Sequence, residues 1–504
     1  MSENLFSNIS QTAPDERVFI VLPDGTTITY AAMRERSARL ANALVALGVA
    51  PDDRVAVQVE KSADALLLYL ACLRTGAVYL PLNTAYTLPE LEYFFADAEP
   101  RLVVCAPEKK GAIGELAMRL GIAHVETLGN DGGTVTLLEK AASCPAAFAD
   151  APRRADDLAA ILYTSGTTGR SKGAMLTHDN LASNCLALRE LWRFTDADVL
   201  LHALPIYHTH GLFVATNIVM AAGASMILLP KFAPDAIFRC LPQATSLMGV
   251  PTFYVRLLQD ERLTREATVH MRLFVSGSAP LLAETHGEFC RRTGHAILER
   301  YGMTETSMNT SNPYDGERVA GTVGFPLPGV ALRICDPGTG AELPAGEIGM
   351  IEVRGPNVFK GYWRMPEKTN AEFRADGFFI TGDLGMIDER GYVHIVGRGK
   401  DLIISGGFNV YPKEIESEID ALEGVVESAV FGLSHADFGE GVVAVVVCEP
   451  NSKLSEDGLK TALKERLAAY KLPKRVVFVE DLPRNSMGKV QKNMLRERYA
   501  GLLA

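Results

Sequence analysis

Residues 159–173 read Ala-Ala-Ile-Leu-Tyr-Thr-Ser-Gly-Thr-Thr-Gly-Arg-Ser-Lys-Gly, and they constrain the chain more than any other stretch. The first five are apolar, as in a buried strand. The run then breaks into Thr164, Ser165, Gly166, Thr167, Thr168 and Gly169. Such a loop offers hydroxyl donors and unhindered backbone N–H groups, and glycine lets the chain turn close to a ligand. Lys172 closes it with a positive charge. Hydroxyls, bare amides and one cation suit a polyphosphate. The spacing is not that of the GxxxxGK[ST] loop, because the fifth residue after Gly166 is Ser171 rather than glycine. Taken alone, the same residues also describe a mobile polar surface loop.

Strands and helices alternate on both sides of this loop. Residues 18–22 and 26–30 flank Pro23-Asp24-Gly25 and predict a hairpin. Met33, Leu40, Ala43, Leu44 and Leu47 recur at helical spacing until Gly48. Further strands are predicted over 55–59, 77–82, 101–105, 200–204, 225–229, 246–250, 272–276 and 296–300. Helices are predicted near 63–75, 211–222, 234–241, 251–259 and 281–293, and 129–157 reads as a loose connection. This pattern implies an α/β fold, with parallel sheets flanked by helices and ligands outside the carboxyl ends of the strands. From about 319 to 396, short strands between Gly and Pro turns predict a small β-rich subdomain. A helix near 413–422, strands 428–433 and 441–449 and a helix near 455–467 predict a small α+β unit. A chain of 504 residues exceeds one ordinary core. The expected division is a large N-terminal domain over 1–397, a hinge at 398–401 and a mobile C-terminal domain over 402–504.

The net charge is −11, which argues against nucleic acid or an anionic membrane as the main partner. An acidic protein that binds a polyphosphate must gather positive charge locally. The eight cysteines form no CxxC pair or metal cluster and read as thiols in a reducing compartment. The start, Met1-Ser2-Glu3-Asn4, carries no signal region, and no apolar run is long enough to span a bilayer, so a cytoplasmic location is expected.

Four further stretches follow the loop in order: Tyr301-Gly302-Met303-Thr304-Glu305, Thr381-Gly382-Asp383, Gly397-Arg398-Gly399-Lys400-Asp401 and Pro483-Arg-Asn-Ser-Met-Gly-Lys-Val-Gln-Lys492. Together the five resemble the acyl-adenylate-forming superfamily of acyl-CoA synthetases, luciferases and peptide-synthetase adenylation domains, over nearly the whole chain. Ser171 departs from the pattern, where that family often has proline. The resemblance implies that a carboxylate attacks the α-phosphorus of ATP, pyrophosphate leaves, and the thiol of CoA then attacks the acyl-adenylate. Carboxylate and triphosphate repel, so catalysis is largely charge neutralisation and alignment.

The resemblance also implies roles for residues. The loop residues Thr164 to Gly169 and Lys172 hold ATP, together with Ser278 and Ala279. Glu299, Arg300, Tyr301, Gly302 and Met303 hold adenine through their backbone and the Tyr301 ring. Thr304 holds the α-phosphate, and Glu305 is the ligand of Mg²⁺, which takes few protein oxygens and shares the rest with phosphate and water. Asp383 accepts from the ribose hydroxyls, and Arg398 reaches ribose or phosphate. Lys489 bridges the acyl carboxylate and the α-phosphate. Its charge makes it a target for a lysine acetyltransferase, since acetylation would cancel it. Rotation about Lys400 brings Lys489 in for one half-reaction and removes it for the next. Ser405, Gly406, Gly407 and Phe408 then line a CoA channel, with His208 positioned at its mouth. His210 is left without a role.

The acyl pocket is expected from the helix after the 246–250 strand and from Ser276 to Pro280. That helix reads Val250-Pro-Thr-Phe-Tyr-Val-Arg256. An arginine at an apolar pocket wall is costly unless paired, and a second carboxylate would pair it. Arg256, with Ser278 and His208, is therefore the expected partner of a dicarboxylate. The stretch together with Ser276-Gly277-Ser278-Ala279 resembles malonyl-CoA synthetases, which load malonate and in some cases methylmalonate. The open alternatives are an outward-pointing Arg256, a CoA ligase for an aryl, short- or medium-chain monocarboxylate, and a stand-alone adenylating module that loads a carrier protein.

Overall fold

The computed structural model describes residues 3–10, 13–129, 135–164, 171–405, 408–435, 438–450, 452–485 and 488–503. Residues Ser165 to Gly169 of the phosphate loop, with Gly406 and Gly407, lie outside them. Among the described residues the strands form four sheets. In the first, Val18–Val21, Ser225–Leu228, Val199–His202, Ser246–Gly249, Leu273–Ser276 and Leu298–Met303 run parallel. Ser307–Ser311 and Phe325–Pro326 extend one edge antiparallel. In the second, His124–Thr127, Leu102–Cys105, Arg54–Gln58, Val78–Pro81 and Leu158–Thr164 are parallel, and Lys172–Thr177 closes the edge antiparallel. Strands such as Leu102–Cys105 and Leu273–Ser276 are buried along their whole length. Continuous apolar runs of this kind form where helices cover both faces of a parallel sheet.

The helix Ala63–Thr75 shows how local signals place an element. Ser62 caps it by accepting from the Ala65 N–H, and Gly76 ends it with φ 72°. Twelve of its thirteen residues are buried, because it is apolar on every side. One apolar core runs from this helix through Val55 and Leu162 of one large sheet to Leu200 and Met248 of the other. The two large sheets therefore hold each other's edges in register.

The third sheet is antiparallel and contains Ala331–Cys335, Gly349–Arg354, Phe379–Ile387 and Val393–Arg398. It starts later than the expected 319, because Phe325–Pro326 pairs into the first sheet. The fourth contains Ile403–Ser405, Phe408–Val410, Val425–His435, Gly439–Cys448 and Arg475–Val479. Helices Pro412–Asp420, Glu456–Lys464 and Lys492–Arg498 pack on it. No described helix is long and apolar enough to cross a membrane.

The expected helix over 211–222 is split. His210–Thr216 winds with wide π-type turns, and Asn217–Ala222 continues as α-helix. Gly211 lies so close to the Pro205 carbonyl that a Cβ there would sit 2.1 Å from its oxygen. Only glycine fits, and the wide turn carries His208, Thr209 and His210 toward the interior.

His178 ties the first helix, Leu5–Ile9, to the body, since its Nδ1 accepts from the Leu5 N–H at 3.0 Å. The ring is fully buried, and burial pushes its pKa from 6.5 down to about 4. Between those values the unfolded chain binds a proton that the native state refuses, so stability is lost as pH falls. His178→Asn keeps an acceptor and does not titrate. Urea midpoints measured from pH 7 to 4 should fall less steeply for it, by up to about 3 kcal/mol over the range. Parallel curves would show that His178 does not carry this acid sensitivity.

Candidate active site

The phosphate loop leaves the end of Leu158–Thr164 and returns on Lys172–Thr177. Residues 360–363 run beside the returning strand. Met175 N–H donates to Gly361 C=O at 3.0 Å, Lys360 N–H to Met175 C=O at 2.9 Å and Trp363 N–H to Gly173 C=O at 2.7 Å. This pairing sets Tyr362 against Lys172, whose Nζ lies 4.1 Å above the ring. The Tyr362 hydroxyl is 2.6 Å from Glu372 and 3.1 Å from Glu305. Lys172 is 3.5 Å from Glu372. At the loop base the Ser171 carbonyl accepts from the Tyr93 hydroxyl at 2.6 Å. Thr164 and Thr304 are half-buried beside this cluster's strands. The sequence pattern pointed to Lys172 and Glu305, but not to the tyrosine and glutamate that join them.

Glu305 lies in the hairpin turn between Leu298–Met303 and Ser307–Ser311. A Cβ on Gly302 would lie 1.9 Å from the Ser307 carbonyl oxygen, so this turn requires glycine. Glu305 is 6% exposed, and burial raises its pKa. A buried carboxylate with one hydroxyl beside it has oxygen lone pairs to spare for a hard cation.

Asp383 accepts from the Tyr301 hydroxyl at 2.5 Å and pairs with Arg398 at 2.9 Å. Its own N–H is held by Thr381 at 3.1 Å. Tyr301, Asp383 and Arg398 thus come together as expected for one nucleoside site, and each Asp383 oxygen keeps a lone pair free. Glu299 is different. Its carbonyl accepts from Asn312 N–H at 2.9 Å and from Asn312 Nδ2 at 3.1 Å. Both acceptor positions of this carbonyl are used within the protein. Its buried carboxyl is pushed up to about 8, and the Gly321 N–H donates to it at 3.2 Å.

The arginines also correct the sequence reading. Arg256 is exposed on helix Pro251–Leu258, while Tyr254 on the same helix is fully buried. A charge at that exposed position is hydrated and needs no partner. The expectation of a desolvated Arg256 therefore fails on helix phase. The desolvated arginine is Arg300, placed in sequence among the adenine contacts. It is 3% exposed, and its Nε and Nη2 find no partner. Its guanidinium lies over Gly277, where a Cβ would meet it at 2.4 Å. Burial lowers its pKa to about 9, which leaves it charged at neutral pH. Tyr254 and His210 are close enough to feel that charge.

His210, which feels the Arg300 charge, has both ring nitrogens unpartnered, and His208 Nε2, Thr209 Oγ1 and Ser276 Oγ are further buried atoms without a partner. Burial holds His208 down to about 4 and lowers His210 as well, so both rings are neutral. Ser278, with φ 71°, is half-buried next to Ala279. Among the described residues no carboxylate is paired with Arg300, and a buried cation beside idle donors and acceptors suits an anionic, hydrogen-bonding ligand.

Lys489 sits on a hairpin of the C-terminal unit. Asn485 N–H donates to Lys489 C=O at 2.9 Å, and Lys489 N–H donates to Asn485 Oδ1 at 2.9 Å. The hairpin lies over the first turn of helix Pro251–Leu258, where a Cβ on Gly488 would be 3.1 Å from Thr252. Lys489 is exposed at its surface yet has much protein close around it. That surrounding protein and Arg398 lower its pKa, and Asp383 partly offsets them. Ion pairs Arg484–Glu427, Lys492–Glu416 at 2.6 Å and Arg496–Asp401 at 2.7 Å hold the hairpin and the terminal helix. Lys400 is exposed in the short turn Gly399–Asp401. Ser405 is buried, and Phe408 is 56% exposed with its ring stacked on Tyr470 at 4.6 Å.

Comparison with known proteins agrees over the full length. The AMP-binding enzyme family matches residues 6–363, and its C-terminal domain matches 414–489. Feruloyl-CoA synthase from Amycolatopsis sp is 37% identical, covering 94% of each chain. Malonate--CoA ligase from Arabidopsis thaliana is 36% identical, over 88% of this chain and 78% of its own. MatB from Rhodopseudomonas palustris is 64% identical over all of both chains, with a TM-score of 0.98 for its ATP-bound crystal structure and 0.86 for the apo form.

If Arg300 has no structural partner, it is a burden on the fold. Arg300→Met should raise the free energy of unfolding by about 1–4 kcal/mol, since a buried uncompensated charge is replaced by an apolar chain of similar volume. Denaturant unfolding checks this, and a destabilised variant would mean that the guanidinium supports the fold.

Proposed function

The chain belongs to the AMP-binding enzyme family, and from that membership we propose that it joins malonate to CoA at the expense of ATP. It is an AMP-forming acyl-CoA ligase with acid, ATP and CoA as substrates. Methylmalonate is a possible second acid of the same class. The observation that carries the malonate reading is Arg300, a buried guanidinium without an acid beside it. Malonate differs from other short acids by its distal carboxylate, which must shed water to enter. A fixed cation makes this tolerable, and the idle Nε and Nη2 match the bidentate geometry of a carboxylate. The malonate--CoA ligase and MatB likenesses support the reading, while the feruloyl-CoA synthase likeness reflects the shared adenylating machinery.

The near carboxylate of the acid attacks the α-phosphorus of ATP, and the bond to the pyrophosphate oxygen breaks. Lys172, Thr304 and the loop amides hold the phosphates, while Tyr301, Asp383 and Arg398 hold the nucleoside. Lys489 neutralises carboxylate and α-phosphate as they meet, an electrostatic contribution on the order of 10²–10³ in rate. Glu305 suits Mg²⁺, which would offset the charge of the leaving pyrophosphate. His208 and His210 stay neutral and orient the acid through hydrogen bonds. In the second step the CoA thiolate attacks the acyl carbon and AMP leaves. Lys489 is not needed there, which is the case for a hinge at 398–401 between units 1–397 and 402–504. The higher TM-score against the ATP-bound form fits a pose in which Lys489 is in the cleft. Ser405 and Phe408 would reach the thiol channel only after rotation. Acetylation of Lys489 would block the first step alone, because it removes the charge.

Steady-state kcat/KM on malonate, methylmalonate, succinate and butyrate tests the acid. Wild type should prefer malonate, and Arg300→Met should lose about 3–5 kcal/mol of it, roughly 10²- to 10³-fold. Arg256→Ala should stay within about threefold of wild type, as an exposed charge does. A wild type that prefers butyrate would exclude the dicarboxylate reading. Separate timing of the half-reactions tests Lys489. Lys489→Ala should abolish adenylation and spare thioester formation from supplied malonyl-adenylate, and equal loss in both would contradict the two-pose mechanism.

A further inference from the structure

Lys61 is a lysine that the adenylation chemistry does not use. It enters from the second sheet's side of the molecule and anchors on the first. Its Nζ is 2.9 Å from His202 Nδ1 and donates to the His202 carbonyl at 2.8 Å. His202 ends strand Val199–His202 and is 1% exposed. The Gly211 carbonyl beside Nε2 can only accept, so the ring proton resides on Nε2, and Nδ1 accepts from Lys61 Nζ. Nε2 is 2.8 Å from the Gly211 carbonyl, which it therefore serves as donor. The Thr216 hydroxyl donates to the same oxygen at 3.2 Å.

That carbonyl belongs to the wide helical turn His210–Thr216. Leu212 N–H closes the turn on the His208 carbonyl at 2.9 Å. The turn is what carries His208, Thr209 and His210 with their unpartnered polar atoms. We propose that Lys61 is a positioning residue for the acid site: it sets the tautomer of His202, and His202 pins the Gly211 carbonyl that shapes the turn facing the substrate. Without Lys61 the ring can carry its proton on Nδ1. Nε2 then presents a lone pair to a carbonyl oxygen, and the two repel.

The inference rests on the assignment of this pocket to the acid, so the test uses whichever acid wild type turns over best. A wild type without malonate activity would fail the substrate reading and leave this one open to the same measurement. Lys61→Met and His202→Gln are compared singly and together, with KM for the acid, KM for ATP and kcat for adenylation. Glutamine has no tautomers and keeps an N–H₂ for Gly211 whatever stands at 61. Lys61→Met should raise KM for the acid about tenfold, the weight of one well-placed hydrogen bond. KM for ATP should stay within about twofold, and in the His202→Gln background Lys61→Met should have no further effect beyond about twofold. Should Lys61→Met fail to fold, Lys61→Gln enters the same cycle. An unchanged KM for the acid, an equal rise in both KM values, or the same penalty in the His202→Gln background would each overturn the proposal.

Discussion

A guanidinium held out of water with no acid beside it is the constraint on which the rest of the site depends. Desolvating a charge is expensive, and proteins ordinarily neutralise or pair it. Here Arg300 stays charged on a buried strand of a protein whose net charge is −11. Its neighbours are arranged around that fact. Gly277 gives the guanidinium a flat seat, His208 and His210 are kept neutral, and Lys61 holds His202 through its Nδ1 and carbonyl. The fold bears the cost until an anion arrives.

A second balance operates at the phosphates. Lys172 is paired with Glu372, Arg398 with Asp383, and Lys489 lies in an open cleft beside Arg398. Cations gathered at one place repel one another unless acids are interleaved. Glu372 and Asp383 supply this interleaving within the large unit, while Lys489 is borne on a separate unit. A cation that arrives with its own domain can be withdrawn without unfolding anything, which suits a two-step reaction.

Much of the fold was legible because its signals are local. Helix 63–75 was bounded by Ser62 and Gly76, and the parallel strands announced themselves as apolar runs between helical patterns. The five motifs that carry the family resemblance were legible in order along the chain. Side-chain direction was not. Arg256 stood out among apolar residues but lies on the wet side of its helix, whereas Arg300 was hidden inside a motif that explained its backbone. The signal for it was present: Ile297-Leu298-Glu299-Arg300 places two charges in a strand that runs through the core. Tyr362 meets Glu305 across 57 residues and Lys61 meets His202 across 141, and pairings of that kind leave no local trace.

The central claim is that Arg300 receives the distal carboxylate of the acid. A crystal structure with malonate and a non-hydrolysable ATP analogue tests it directly. The account predicts that this carboxylate lies about 2.7–2.9 Å from Arg300 nitrogens in a forked pair, with His208 or His210 beside it. A distal carboxylate resting on Arg256 or on solvent, with Arg300 still unpartnered, would contradict it.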